Sequence, residues 1–413
     1  MTFTQSDIVP TEPAAGRAPD RRARLWAFPL LVVGMVAIAT PIVSSCIPAK
    51  LLIDLTHCTK RVKNVCVQTI TEPAEFALIP ASAERVEPRL QVTGTPTYPS
   101  ANDIFFVTIR EPTITVFDWF IARNNPAADI ITHAGKYGNQ SEQQLLQSGQ
   151  RQMTGAKDRA TYVALKAAGF PVSRQEGAAV VDYLLCLKPN KDNTKCLQEV
   201  PAGALLQPDD IIAAVDGHPV KIVSDLGPIL AKVKVGTEVT IDFLRNGKKM
   251  SGKVQTIQAP GEPTPRTIIG FAPIDTTTVK LPPGVDVQFD TGDIGGPSAG
   301  TAFTLTLIDQ ITKGNLMGPQ SVAVTGEIDI DGNVGAIGGL SAKVSAVMQV
   351  GVKYFLVPAS QPADGFDSIA AARKVVGNKV QLIPIRNIDD ALAELRKLGG
   401  DPLVPVGQAT TKG

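Results

Sequence analysis

Gly296-Pro297-Ser298-Ala299-Gly300 matches G-x-S-x-G, a turn whose small residues let the backbone fold tightly and present a serine at the start of a helix. A serine hydroxyl attacks a carbonyl only when a neighbouring base takes its proton. The choice of base therefore decides what the pentapeptide means. The three histidines, His57, His133 and His218, all precede Ser298. That rules out the α/β-hydrolase order, in which the acid and then the histidine follow the serine. A histidine from an earlier region could serve in another order. However, His218 sits in a turn, and His57 and His133 lie in other regions.

Lysine is the remaining base. At its ordinary pKa of about 10.4 it is protonated at neutral pH, and bringing it to about 7–8 means weakening the ammonium by roughly 3–4 kcal/mol. Burial against apolar side chains does this, and the positive end of a helix adds to it. Lys343 follows the glycine loop Val334-Gly335-Ala336-Ile337-Gly338-Gly339-Leu340 and enters a helix expected over Ser341–Val350 at its first turn. Val344, Val347 and Met348 supply the apolar side. Lys313, Lys353, Lys374, Lys379 and Lys397 stand in polar contexts and are poorer candidates.

Further blocks surround this pair in order: Val324-Thr325-Gly326-Glu327-Ile328, Gly332-Asn333-Val334, Ile337-Gly338-Gly339-Leu340 and Phe355-Leu356-Val357-Pro358. With the serine pentapeptide they make residues 293 to 358 resemble the proteolytic domain of the Lon family. The resemblance implies a serine peptidase whose dyad is Ser298 as nucleophile and Lys343 as general base. It also implies that Thr325 lies beside the dyad and bonds the lysine or the serine. Backbone N–H groups around Gly296 and Ser298 are the candidates for an oxyanion hole. One departure stands out: many Lon sequences carry an acidic residue three before the serine, and here that position is Gly295, with Asp293 nearby.

The elements that position these residues fall into several units, an α+β multidomain chain. A PDZ-like unit is expected over 175–259. Pro201 to Asp210 forms a Gly/Pro turn, an apolar strand follows through Val215, and Asp216-Gly217 turns into a second strand. A helix starts near Ser224, capped by Ser224 or Asp225. Val239, Ile241 and Phe243 alternate with polar residues before the hairpin turn Asn246-Gly247. That order is similar to bacterial PDZ domains, with Asp209 where a glycine is usual. Such a fold implies capture of an extended peptide at a sheet edge. Residues 260–265 read as a linker, and 266–402 as the α/β proteolytic domain with a tail at 403–413. Residues 46–174 read as a separate mixed α/β segment, with strand-like stretches between Leu90 and Ile109. The polar stretch 140–168 forms one or two surface helices, a scaffold without chemistry of its own.

Residues 1–24 read as a disordered cytoplasmic tail. Leu25 to Ser45 is an uncharged apolar run preceded by Arg17, Arg21, Arg22 and Arg24. About 20 such residues cross a bilayer as a helix, and the arginines place the N-terminus in the cytoplasm. The expectation is an uncleaved single-pass anchor in the cell membrane, with the rest extracytoplasmic. A lipobox-like Val43-Ser44-Ser45-Cys46 is the alternative. Cys58 with Cys66 and Cys186 with Cys196 suit two local disulfides, leaving Cys46 over. A net charge of +1 across 413 residues gives no electrostatic ground for nucleic acid. No G-x-x-x-x-G-K-[ST] occurs, and no cofactor or metal is expected. Anchor, PDZ unit and Lon-type domain together resemble the membrane-anchored Lon-like peptidases of Gram-positive bacteria. The expected function is an ATP-independent serine endopeptidase acting on peptides or flexible segments. The alternatives are a non-catalytic PDZ adaptor in the membrane and an esterase using the same dyad. Lon-type domains often form rings, so the resemblance adds a homo-oligomer to the expected partners.

Overall fold

The structure, a computed structural model, describes residues 21–62, 65–138, 140–175, 177–189, 196–259 and 266–407. Its principal sheet runs Asp54–Val62, Val65–Arg85, Ile104–Arg110, Val322–Val324, Tyr354–Pro358 and Gln381–Ile385, with Asp129–Thr132 paired to the second strand. The last four strands on this path are parallel to one another, whereas Val65–Arg85 runs antiparallel to Ile104–Arg110. Side chains alternate across the sheet, as the two-residue period requires. Ile104, Phe106, Val322, Val324 and Leu356 enter one core, and Val107, Ala323, Phe355 and Val357 the other.

Two helices cover the first face. Gly300–Ile311, here the serine helix, is buried at all but one of its positions. Such burial is tolerated because the hydroxyls of Thr304 and Thr306 donate to carbonyls one turn back, at 2.9 Å each. Glu142–Ala167, the long helix, starts at a capping box between Ser141 and Gln144. Its inner stripe of Met153, Ala160, Val163 and Ala164 packs against Ala299, Ala302 and Phe303. The other face carries Leu340–Gln349, the lysine helix, and Ile369–Val376.

This architecture changes the expected partition. Residues 46–174 are not a separate unit: their strands are part of the same sheet as Val322–Val324, and their long helix shares a core with the serine helix. The stretch 140–168 is one helix packed inward, because its apolar stripe fits the face the serine helix leaves open. The PDZ-like unit is inserted between the two halves. Its entry Ser173–Gln175 and exit Thr278–Lys280 pair antiparallel as a neck.

The inserted unit has its own core. Its sheet runs Lys248–Gln255, Glu238–Arg245, Ile211–Val215, Ala179–Leu184 and Phe271–Asp275. The expected start of the proteolytic domain at 266 is thus also corrected: Phe271–Asp275 hydrogen-bonds to Ala179–Leu184 and belongs to this sheet. The linker 260–265 lies outside the described residues. Asn246 and Gly247 both have positive φ, 50° and 76°, and close the two-residue hairpin. Asp209 takes φ 69°, the left-handed conformation that explains why glycine is usual there. Asp210, 1% exposed, receives a two-pronged bond from Arg245 at 2.8 and 2.7 Å. The expected helix is Leu226–Leu230, a few residues later than Ser224 because a 3₁₀ turn, Val223–Asp225, precedes it.

At the N-terminal end a helix, Arg21–Ser44, covers most of the run expected to span a membrane. Among the described residues, however, no helix is long and apolar enough to cross a membrane. The helix contains Pro29 and Pro41, and the side chains of residues 21–28 and 30 lie outside the described residues, as does most of the expected tail 1–24. Cys186 and Cys196 form a disulfide, and Cys66 is also disulfide-bonded. The side chain of Cys58 lies outside the described residues. Cys46 is free and exposed.

Candidate active site

The site forms beyond the carboxyl ends of the parallel strands, where both helices begin, a position common for sites in open α/β sheets. Thr325 and Gly326 follow directly on Val322–Val324 and tie the two helices together. Gly326 N–H donates to the Ser298 carbonyl at 2.9 Å, and Thr301 N–H and Oγ1 both donate to the Gly326 carbonyl. Gly326 has φ 151°, and a Cβ there would lie 2.7 Å from Thr301 Oγ1 and 2.5 Å from Val334 Cγ1. Only glycine allows this approach.

The lysine helix starts from Gly339, which has φ 73° and where a Cβ would strike Ile109 at 2.8 Å. Its first N–H groups are capped by a carboxylate remote in sequence. Asp367 Oδ1 accepts from Gly339 N–H at 2.6 Å and from Leu340 N–H at 3.3 Å. Lys343 lies one turn in, 2% exposed, among Leu340, Val344 and Val347. Its Nζ is 2.7 Å from Ser298 Oγ and 3.4 Å from Thr325 Oγ1. Thr325 Oγ1 in turn donates to the Ser298 carbonyl at 3.1 Å. The structure therefore brings Ser298, Lys343 and Thr325 together.

Burial pushes the Lys343 ammonium down to about 8, against the opposing pull of the Asp367 and Glu327 carboxylates. The neutral amine is thus accessible near physiological pH. A neutral amine accepting from a serine hydroxyl can remove its proton as the oxygen attacks an acyl carbon. The rejected lysines, Lys313, Lys353, Lys374, Lys379 and Lys397, are all exposed. His133 pairs with Glu75, and His218 is exposed on a hairpin; neither lines the cleft. The side chain of His57 lies outside the described residues.

Ser298 opens onto a cleft of about 800 Å³. Its walls come from both halves of the catalytic fold and from the inserted unit. They include Phe106 and Arg110 of the sheet, Leu145 and Gln152 of the long helix, and Tyr183 of the PDZ-like unit. Among the described residues no cluster of His, Cys, Asp or Glu could hold a metal ion.

Two features of the serine turn were not foreseen. Gly296 N–H, an expected oxyanion donor, donates at 2.8 Å to the Gly149 carbonyl on the long helix. A Cβ at Gly295 would stand 3.2 Å from the Gly149 carbonyl carbon. A side chain at 295 would thus crowd the long helix backbone at Gly149. Asp293 is exposed at the rim of the cleft. Asp367 was also missed, since it acts 24 positions after the lysine from a loop with no motif of its own.

Residues 285–397 match the family of Lon protease (S16) C-terminal proteolytic domains, and residues 193–256 match the PDZ family. A Lon protease from Trichlorobacter lovleyi is 38% identical over 97 residues, 24% of this chain and 11% of that protein. One from Elusimicrobium minutum is 37% identical over 106 residues, 25% of this chain and 12% of that protein. The matched region thus takes in about a ninth of the length of these relatives. The PDZ domain of an SdrC-like protein from Listeria monocytogenes is similar at 20% identity, covering 24% of this chain and 90% of that one, with a TM-score of 0.18. The chain carries a proteolytic domain of the Lon protease (S16) family, a family of serine peptidases, together with a PDZ domain.

Proposed function

We propose that this protein is an ATP-independent serine endopeptidase whose nucleophile is Ser298 and whose general base is Lys343. The observation that carries the reading is the 2.7 Å contact between Lys343 Nζ and Ser298 Oγ, made by a lysine that burial has brought to about 8. Ser298 Oγ attacks the scissile carbonyl carbon as Lys343 takes its proton. The resulting ammonium returns that proton to the leaving amine, and the acyl-enzyme is then hydrolysed by a water that Lys343 activates. Because Gly296 N–H is bonded to Gly149, the Ser298 N–H is the donor left beside the nucleophile for the developing oxyanion. Thr325 holds the lysine toward the serine.

The cleft is open to an extended chain, which suits peptides or flexible segments as substrates. The PDZ unit contributes a wall to the cleft and captures or gates the substrate. We place the protein at the cell membrane with its catalytic part extracytoplasmic. The Cys186–Cys196 disulfide and the outward-facing Leu31, Val33, Ile38 and Ile42 of the N-terminal helix support this placement. The purified protein is expected to cleave casein without ATP, and both Ser298→Ala and Lys343→Ala to lose at least about 10³-fold in kcat/KM. Undiminished cleavage by either variant would sink the dyad. Cleavage of ester substrates alone would favour an esterase, and no turnover of any substrate would leave the adaptor reading.

A further inference from the structure

The long helix touches three things that the dyad does not itself contain. On its inner side the Gly149 carbonyl receives the Gly296 N–H, two residues before the nucleophile, and Arg159 Nε donates at 2.7 Å to the Ile328 carbonyl, three residues past Thr325. The helix thus grips both segments that meet at Lys343. On its outer side, half a turn from Gly149, Arg151 reaches the inserted unit. It is paired with Asp182 of the strand Ala179–Leu184, and its Nη2 lies 3.7 Å from Asp209 Oδ1. Asp182 is only 10% exposed and Arg151 38%, so the stronger of these pairs is shielded from water on its carboxylate side. Tyr183, next to Asp182, lines the cleft.

We propose that Arg151 is a positioning residue: its ion pairs to Asp182 and Asp209 fix the long helix against the PDZ unit, and the Gly149 carbonyl thereby seats the Gly295–Gly296 turn from which Ser298 is presented. The inference rests on Ser298 being the nucleophile. The coupling runs through one turn of a rigid helix with a defined contact on each side, the Arg151 ion pairs on one and the Gly149 backbone hydrogen bond on the other. The turn has no side chain at 295 or 296 to hold itself, so its place depends on the helix backbone it packs against. A helix released from the PDZ unit leaves the dyad's residues in the protein but shifts the nucleophile relative to its base and its target. Displacements of that kind are costly to chemistry and cheap to binding.

The test is the rate at which a fluorophosphonate labels Ser298 in the full-length protein. In that reaction the Oγ–P bond forms, fluoride leaves and Lys343 takes the hydroxyl proton, so the rate constant reports positioning without any peptide. Arg151→Ala and the near-isosteric Asp182→Asn should each slow labelling about tenfold, a coupling of ordinary size. Thermal unfolding is followed in parallel. The double variant should be no slower than the worse single one, since both act through one contact, and Arg151→Lys should recover most of the rate. On a peptide substrate kcat falls while KM holds. A merely structural role would lower the amplitude of labelling and leave its rate constant unchanged, which would overturn the proposal. So would single effects that multiply in the double variant. Wild-type protein that takes no more label than Ser298→Ala would remove the underlying reading, and this proposal with it. A labelled wild type indifferent to Arg151→Ala would remove the proposal alone.

Discussion

The PDZ unit and the catalytic fold are built in opposite ways. The core of the former is drawn from one uninterrupted stretch, Ala179 to Phe271. The core of the latter joins Val86–Ala168 to Phe289–Leu395 across the whole inserted unit. One unit is local in sequence, and the other closes on itself only after about a hundred intervening residues have been placed. Loop closure of that kind costs entropy that grows slowly with length, so the insertion is thermodynamically tolerable. The two units still differ in what they can lose.

The sharpest way to break this comparison is to cut the chain at its apparent boundaries. A fragment of residues 173–280 should fold with a cooperative thermal transition, whereas 266–402 should not, because it lacks four of the seven strands of its sheet and the helix that covers the serine helix. A cooperative transition from the second fragment would show that the catalytic half needs no help from the first.

A smaller effect sharpens the picture of the buried lysine. Cleavage should rise with pH and level off with an apparent pKa of about 8, since the amine acts only when deprotonated. Asp367 favours the ammonium, so Asp367→Asn should move that midpoint to lower pH, while its amide oxygen can still accept the Gly339 and Leu340 N–H bonds and keep the cap. A midpoint that moves up or stays fixed would contradict the assigned electrostatics. The linkage has a definite sign. Folding lowers the lysine pKa, so the unfolded chain holds a proton that the folded one lacks from about pH 8 up to the ordinary lysine value. Stability relative to Lys343→Met should therefore rise with pH across that window.

The most local effect belongs to the PDZ unit. Cys186 and Cys196 close a loop with a sequence separation of 10, and removing the pair by Cys186→Ser with Cys196→Ser should cost about 2–3 kcal/mol. The loss should appear in the transition of fragment 173–280. An equal loss in the unfolding of the catalytic fold would erase the distinction between the units.

What the sequence showed follows the same divide. Ser298 and Lys343 could be singled out because each sits in a short block whose chemistry is local, a turn and a helix start, whereas Thr325 stood out only through the resemblance to the Lon family. The PDZ hairpins at Asp216-Gly217 and Asn246-Gly247 were legible for the same reason. The strand Ile104–Arg110 was not recognised as part of the catalytic sheet, since its partner Val322–Val324 lies over two hundred residues away, and Val65–Arg85 joins that sheet only through it. Periodicity shows that a strand has two faces and says nothing of what covers them. Gly149 and Asp367 were invisible because each acts through backbone groups of a distant segment, leaving no pattern of side chains to find.

The neck formed by Ser173–Gln175 and Thr278–Lys280 has a further meaning. The chain leaves the catalytic fold and re-enters it at points one strand spacing apart, so a tight turn could join the two without stretching anything else. A module attached in this way can be exchanged in evolution as a single graft, with the fold that holds Ser298 and Lys343 inherited intact.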